Sequence, residues 1–316
     1  MKFVRLIHWL RAAVRLWPCA LLVACGAPRP AVSPPPVVRV VAEFYPLYVE
    51  TLNVVGDTPG VQVSNLVPTS TGCPEDFQLA PGDVRTLSSA QVFIINGAGL
   101  EGYLDKVAAL CPNLRVVDAS AGVVKLKIDG EINPHVWVSP LEAASQVRAI
   151  AVALAAADAA HAANYQKNAA EYAARLEALA ARCREELSPA PIRQVVAFHD
   201  SLPYLARDLN LQILAVMEPA PGQNPSAREL ADVAARVRLA SGRVALLTEI
   251  DAKNPAADIL SRELGQPLFS LDTCTSGPLE PAAARNAYVR ATENNLAVLR
   301  SALGVGKNTG KSHPGD

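Results

Sequence analysis

The chain has 316 residues and a formal net charge of −1; 50% of its residues are hydrophobic, 5% aromatic and 19% charged. This length exceeds what one hydrophobic core usually organises, so two domains are expected, and the apolar half of the composition excludes a disordered protein. The near-neutral charge argues against a general nucleic-acid-binding protein. Because there are only five histidines, a metal or acid–base site must draw on very few of them.

Residues 1–25 have the pattern of an export signal. Its positive charges are Lys2, Arg5, Arg11 and Arg15. The apolar stretch that follows, residues 16–24, is too short for a bilayer span of roughly 20 residues. Leu22-Val23-Ala24-Cys25 resembles the lipobox of bacterial lipoproteins, which predicts lipid attachment at Cys25; the alternative is an ordinary signal peptide with a chance cysteine. The proline-rich residues 26–36 predict a tether between a membrane anchor and the body.

The body of the chain is mildly acidic and contains four cysteines. Without the four signal cations, 25 basic residues oppose 30 acidic residues, a net charge of about −5. Cys73 and Cys111 lie in the first half, and Cys183 and Cys274 in the second. An exported protein can oxidise its cysteines, so pairing within each half is one of three connectivities. Free buried thiols are the alternative.

From residue 37 onward, short β-rich segments alternate with helical segments, a pattern typical of a mostly parallel sheet. The first series predicts strands over residues 37–42, 61–66, 91–96 and 114–118, with helices around 46–55, 81–89 and 100–110. A helix capped by Ser139 follows. The second series predicts strands over residues 193–198, 211–217, 243–248 and 267–271, a helix capped by Ser226, and a final helix over about 282–302.

A long alanine-rich helix separates the two series, because apolar residues recur at steps of three and four over residues 162–187. The predicted fold is therefore α/β: two lobes, each a mostly parallel sheet with flanking helices, joined by one long rigid helix. The predicted bounds are 37–160 for the N-terminal lobe, 161–187 for the linking helix, 190–303 for the C-terminal lobe and 304–316 for a disordered tail. A cleft between the lobes is the natural ligand site.

Ionisable residues follow the strands, at the ends where open parallel sheets bind ligands. In the second series these residues are His199-Asp200, Glu218, Glu249 and Asp272. In the first series, Glu75 follows the second strand and His135 follows the fourth. Imidazole and carboxylate together suit a divalent metal such as zinc or manganese. For Glu218 and Glu249, ordinary exposure of a loop is the competing explanation.

Residues 38–302 resemble the zinc/manganese substrate-binding lipoproteins of bacterial ABC importers. The resemblance depends on the order and spacing of several segments. These are Val41–Tyr48, Leu66-Val67-Pro68, Pro74-Glu75-Asp76-Phe77, Pro81-Gly82-Asp83, Asn96-Gly97-Ala98-Gly99-Leu100-Glu101, Asn133-Pro134-His135-Val136-Trp137, Phe198-His199-Asp200 and Ser270-Leu271-Asp272.

Carried over residue by residue, the resemblance implies that His135, His199 and Asp272 are metal ligands. The remaining ligand position, the first along the chain, is usually histidine in the family and is Glu75 here. Cys73, two residues away, is a possible soft ligand, although a disulfide or a buried thiol is the favoured interpretation. A carboxylate at position 75 favours manganese or ferrous iron more than imidazole does. Histidine at position 199, however, is what the family's zinc receptors have, and the ion is left open among zinc, manganese and ferrous iron. The histidine-rich loop of many zinc receptors is absent. Glu249 and Glu218 are candidates for residues that contact the ligands without binding the ion themselves.

The resemblance also implies the function and the partners. A monomeric receptor, lipid-anchored at the periplasmic or extracellular face, would bind one metal ion between its lobes. It would then deliver the ion to a membrane permease that an ATPase drives. A single linking helix should limit lobe closure, so release would come from loop motion and a modest tilt. No catalytic activity and no nucleic-acid partner are expected.

Two other functions stay open at the level of the sequence. A metal-dependent hydrolase could use Glu249 or Glu218 as its base, although neither Gly-x-Ser-x-Gly nor His-Glu-x-x-His occurs. A receptor of similar build could bind a siderophore or haem, but such clefts need aromatic or arginine contacts. The chain has 16 aromatic residues, and no arginine cluster borders the candidate ligands.

Overall fold

The computed structural model describes residues 38–71, 74–128, 130–218, 225–250 and 254–306. The predicted export signal with Cys25, the tether, Cys73 and residues 307–316 lie outside these ranges, so those assignments stay predictions. Within the described ranges, no helix is both long enough and apolar enough to cross a membrane.

The first lobe is a four-stranded parallel sheet with the strand order β2-β1-β3-β4. Its strands are β1 (Val38–Ala42), β2 (Val61–Asn65), β3 (Val92–Ile95) and β4 (Arg115–Asp118), and its helices are α1 (Tyr45–Val55), α2 (Pro81–Ser88), α3 (Leu104–Leu110) and α4 (Pro140–Ala157). Each predicted strand occurs within one residue of its expected bounds. The prediction for α3 began too early, at residue 100. Gly97, Ala98 and Gly99 all have positive φ and form a turn, and the helix begins only after it.

The second lobe repeats the plan with the strand order β10-β9-β7-β8, all parallel. A two-stranded hairpin, β5 (Lys127–Ile128) and β6 (Glu131–Ile132), precedes it along the chain and was not predicted. The other elements are α5 (Ala162–Leu187), β7 (Gln194–His199), α6 (Pro203–Asp208), β8 (Gln212–Glu218), α7 (Ala227–Leu239), β9 (Val244–Glu249), α8 (Pro255–Leu264), β10 (Leu268–Leu271), α9 (Pro281–Ala284) and α10 (Ala287–Ala302). The sequence analysis did not predict α6 or α8.

The long helix α5 joins the lobes through one continuous core, as the α/β fold prediction required. Its buried stripe contains the residues expected from the sequence: Tyr165, Ala169, Tyr172, Leu176, Leu179, Cys183 and Leu187. The largest buried cluster includes Ala42 of the first sheet, Leu176 of α5 and Val195 of the second sheet. Because side chains of both lobes pack on the same helix, separating the lobes would expose apolar surface. This arrangement favours the expected rigidity; the exact lobe bounds remain a prediction.

Three of the four body cysteines are free and buried: Cys111, Cys183 and Cys274. Cys183 and Cys274 are therefore free thiols and do not form the disulfide that was one of the predicted alternatives. Cys111 has a local polar neighbour, since its Sγ lies 3.3 Å from Ser88 Oγ.

A carboxyl group is buried in the helical layer that joins the lobes. Glu50 of α1 is fully buried, and neither of its carboxylate oxygens has a hydrogen-bond partner within the described ranges. It interacts electrostatically with Tyr172 of α5 and Tyr288 of α10. Burial raises the pKa of Glu50 well above its usual value of 4.5. A neutral carboxyl therefore suits this position better than a carboxylate.

We expect Gly97→Ala to lower the free energy of unfolding by about 2–4 kcal/mol, from the left-handed backbone and the steric overlap combined. Gly97 has φ of +76°, and a Cβ there would lie 2.0 Å from Asp118 Oδ1. Gly102 is the matched control, because a Cβ there meets nothing within 4 Å, and Gly102→Ala should stay within about 0.5 kcal/mol of wild type. Equal effects of the two variants in denaturant unfolding would contradict this.

We expect Glu50→Gln to stabilise the protein more at pH 8 than at pH 5. A raised pKa in the folded state means that the folded protein holds a proton that the unfolded chain releases above pH 4.5. Wild-type stability therefore falls as pH rises through this range, and the glutamine variant lacks that loss. Denaturant unfolding at both pH values measures the difference, with the exposed Glu177→Gln as control. Parallel pH profiles for wild type and Glu50→Gln would refute the prediction.

Candidate metal centre

Two histidines from different lobes face each other across the cleft. His199 is the last residue of β7, and His135 precedes the 3-10 turn Val136–Val138 that leads into α4. Their Nε2 atoms are 3.1 Å apart, and their rings are nearly perpendicular, with centroids 4.8 Å apart. The sequence thus correctly identified two histidines, of five, that meet although 64 residues separate them.

Two carboxylates complete the group. Glu75 lies in the 3-10 turn Pro74–Asp76 after β2, and its Oε1 is 3.4 Å from His135 Nε2. Asp200 follows His199, and its Oδ1 lies 3.6 Å from His135 Nδ1 and 3.5 Å from His199 Nδ1. One ligand-type atom from each of these four residues lies within 4.8 Å of the other three. The sequence analysis placed Asp200 at this strand end but gave it no role.

The separations fit the coordination shell of a transition metal. In a tetrahedral zinc site with Zn–N bonds of about 2.0–2.1 Å, neighbouring ligand atoms are about 3.3 Å apart. The separation between the two Nε2 atoms and that between His135 Nε2 and Glu75 Oε1 are both close to this value. These two separations, together with the 4.8 Å limit on all ligand-type atoms of the group, are compatible with one ion bound by His135, His199 and Glu75.

The protonation of the site also fits a metal. His135 is almost fully buried, and burial lowers its pKa well below 6.5, with His199 nearby lowering it further. A neutral imidazole has a lone pair to offer to an ion. Burial raises the pKa of the Asp200 carboxyl, an effect that His199 opposes and Glu249 reinforces. A cation placed among these groups would offset the cost of burying a carboxylate.

A buried polar network fixes the backbone that carries His135. Asn96, directly after β3, donates from Nδ2 to the carbonyl of Pro134 at 2.9 Å and accepts from Gln146 Nε2 at 3.1 Å. The backbone N–H of Asn96 donates to Glu43 Oε2 at 2.9 Å. Burial raises the pKa of Glu43, and Glu101 raises it further. Asn96, the first residue of the Asn-Gly-x-Gly-Leu-Glu segment, therefore holds the loop that carries His135. The sequence did not reveal this structural role.

Trp137 ties the same loop to the second lobe near Asp272. Its Nε1 donates to the carbonyl of Thr273 at 3.0 Å, and its ring packs edge-on against Phe44. The backbone of Asp272 is held by Asn295 of α10, and Asp272 Oδ1 accepts from the amide of Cys274 at 2.7 Å. Asp272 does not belong to the four-residue group, so its assignment as a ligand stays a prediction.

The two glutamates predicted to support the ligands have different outcomes. Glu249, the last residue of β9, accepts a hydrogen bond from Ser201, which directly follows Asp200. This hydrogen bond places Glu249 next to the residue that follows Asp200, and its role in supporting the ligands stays a prediction. Glu218 is the last residue of β8, opposite His199 in the strand register, but its side chain is outside the described part of the chain.

A groove of about 560 Å³ borders the centre, and both Asn133 and Asp200 line it. Three acidic residues, Glu131, Glu229 and Asp232, also line this groove, together with one basic residue, Arg236. A surface with an excess of carboxylates raises the local concentration of cations. The groove therefore gives a cation a favourable approach to the cluster.

Comparison with known proteins identifies the family. Residues 40–302 match the family model described as the periplasmic component A of a zinc-uptake complex. The chain belongs to this zinc-uptake component A family. It is 28% identical to the high-affinity zinc uptake system protein ZnuA of Bacillus subtilis, over 90% of this chain and 95% of that protein. It is 29% identical to the zinc-binding lipoprotein AdcA of Streptococcus pneumoniae, over 89% of this chain, but spans only 58% of AdcA.

Solved structures of metal-binding proteins have the same fold. The substrate-binding protein FpvC of Pseudomonas aeruginosa, in complex with Mn²⁺, superposes with a TM-score of 0.76 at 29% identity, over 85% of this chain and 98% of FpvC. The comparisons thus confirm the family, the two-lobed α/β fold and the role of a metal receptor of an ABC importer. They do not support a chelate receptor or a hydrolase.

Proposed function

We propose that this member of the zinc-uptake component A family captures one divalent transition-metal ion between its lobes and delivers it to an importer permease. The observation that carries the proposal is the convergence of His135 Nε2, His199 Nε2 and Glu75 Oε1 at the spacing of a coordination shell. Because the two histidines belong to different lobes, a bound ion would link them. Occupancy could then be sensed by the permease as a small change in lobe arrangement.

We propose Glu75, His135, His199 and Asp272 as the ligand set. The first three are supported by their separations in the cluster. Asp272 is supported by the sequence resemblance and by the Trp137–Thr273 hydrogen bond, which brings its loop to the His135 loop. The hydrogen bond from the Cys274 backbone amide to Asp272 Oδ1 orients the carboxylate in this loop.

Zinc is the ion we propose, with manganese and ferrous iron as the alternatives to be tested. Two neutral imidazoles favour zinc, and the family description names zinc uptake. The carboxylate of Glu75 at the first ligand position lessens this preference, since manganese and iron accept oxygen ligands more readily.

The remaining parts of the proposal concern the surroundings of the receptor. They are a lipid anchor at Cys25, residues 26–36 as a tether, a periplasmic or extracellular location, a monomeric state, and a permease with its ATPase as partners. The periplasmic description of the family supports the location. The lipobox-like sequence supports the anchor.

The soluble body, residues 26–316, should bind one zinc ion per chain, measured by calorimetry and metal analysis. His199→Ala should weaken binding by more than about 100-fold, because losing a ligand costs more than losing an outer partner. His161→Ala is the matched control, since this imidazole pairs with Asp158 at 2.7 Å beside α5, and it should leave affinity unchanged. Absence of stoichiometric zinc, manganese or iron in the wild type would refute the receptor proposal.

Glu75→His should shift selectivity toward zinc and away from manganese, because imidazole replaces a hard oxygen ligand. Competition titrations with zinc, manganese and ferrous iron measure this shift. Glu75→Gln, which keeps the shape but removes the charge, should instead weaken the binding of all three ions. Unchanged selectivity in Glu75→His would remove Glu75 from the ligand set.

A further inference from the structure

Asp200 approaches both histidines of the cluster at their Nδ1 atoms. Its Oδ1 approaches the Nδ1 atoms of His135 and His199 at 3.6 and 3.5 Å, whereas the Nε2 atoms face each other. Within the described ranges, this Oδ1 is buried and has no hydrogen-bond partner. One carboxylate oxygen is therefore shared between two imidazoles that belong to different lobes.

Asn133 holds that carboxylate in place. Its Nδ2 donates to the backbone carbonyl of Asp200 at 2.8 Å and to Asp200 Oδ2 at 3.0 Å. Its Oδ1 accepts from the amide of His135 at 3.1 Å. The Asn133 backbone is anchored as well, because Tyr204 of α6 donates to its carbonyl at 2.9 Å. One buried amide side chain thus connects the His135 loop to the residue after His199.

We propose that Asn133 and Asp200 act together as positioning residues that select the metal-binding tautomer of both histidines. Asp200 Oδ1 accepts Nδ1–H from His135 and from His199, which leaves both Nε2 lone pairs directed at the ion. Asn133 Nδ2 donates a hydrogen bond to Asp200 Oδ2. This bond orients the carboxylate so that Asp200 Oδ1 faces the two imidazoles. This inference rests on the proposed function, because it assumes that the ion binds at the Nε2 atoms.

The arrangement has the general form of a carboxylate–histidine–metal interaction, in which an outer carboxylate fixes the ring and its proton. Its distinctive feature is that one carboxylate serves a histidine in each lobe. The distances of 3.5–3.6 Å exceed those of ordinary hydrogen bonds. They are expected to shorten when an ion fixes the two Nε2 atoms, since such contacts tighten on ligand binding.

An ion bound at both Nε2 atoms requires that neither of them carries a proton. Each neutral imidazole then carries its proton on Nδ1, the atom that Asp200 Oδ1 approaches. The proposal therefore predicts the Nδ1-protonated tautomer of both histidines in the zinc-loaded protein.

Nitrogen-15 NMR of the imidazoles tests this directly in the wild-type protein. With zinc, both rings should be protonated at Nδ1 and bound at Nε2. Zinc bound at Nδ1 of either histidine would overturn the proposal. This measurement needs no variant, so it decides the question even if substitutions at position 133 prevent folding.

Substitutions test whether Asn133 acts through Asp200. Asn133→Ala should weaken zinc binding about 10–100-fold, the range for outer partners of metal ligands. In an Asp200→Ala background, the same change should alter affinity by no more than about twofold, the ordinary deviation from additivity. Asn168→Ala is the control, because Asn168 donates to the carbonyl of Val54 at 3.0 Å away from the centre; it should bind zinc like the wild type.

The possible failures are distinguishable. A wild-type protein that takes up no zinc refutes the proposed function itself. A wild-type protein that binds zinc, with Asn133→Ala binding equally tightly or with additive losses in the double variant, refutes only the positioning role. X-ray absorption of zinc-loaded Asp200→Ala provides a further check: loss of an oxygen ligand would make Asp200 a ligand and overturn its assignment as a positioning residue.

Discussion

The close approach of His135 and His199 is the interaction on which the proposed function depends. Two imidazole nitrogens 3.1 Å apart, one from each lobe, bind an ion only if the lobes are held at a fixed separation. That separation is set by packing, because α5 buries its apolar stripe and contacts α1 and α4 of the first lobe and α10 of the second. Protein interiors resist deformation, so the lobes cannot drift apart by more than small amounts.

The same constraint explains why so many buried polar groups surround the His135 loop. An irregular loop at the centre of a molecule leaves backbone groups that need partners. Asn96 satisfies the carbonyl of Pro134, Asn133 satisfies the amide of His135, and Trp137 binds the carbonyl of Thr273. These bonds fix the loop against both lobes. Rigid support of this kind is what keeps metal ligands in position before the ion arrives.

Much of the fold was predictable because its signals are local. Buried parallel strands read as continuous β-branched segments, and all four predicted strands in each lobe were found within one residue. The spacing of apolar residues gave α5 its full length. The hairpin β5–β6 was missed because each of its strands has only two residues. The helices α6 and α8 were missed as well, although α8, with 10 residues, is longer than the predicted helices α2 and α3.

The site was only partly predictable, because coordination depends on side-chain direction. Strand ends and resemblance identified Glu75, His135 and His199, which the structure brings together. They could not show that Asp200 faces the Nδ1 side of both rings, nor that Asn133 holds it there. Asp200 directly follows His199, and Asn133 lies two residues before His135. Adjacency along the chain does not reveal which edge of an imidazole a neighbour approaches.

The central claim is that one ion joins the two lobes through His135 and His199. Anomalous diffraction at the zinc edge from crystals of the zinc-loaded soluble body tests it most directly. The account predicts one anomalous peak per chain, at about 2.0–2.1 Å from Nε2 of both histidines. A peak coordinated by residues of a single lobe, or one on the Nδ1 side of either ring, would contradict it.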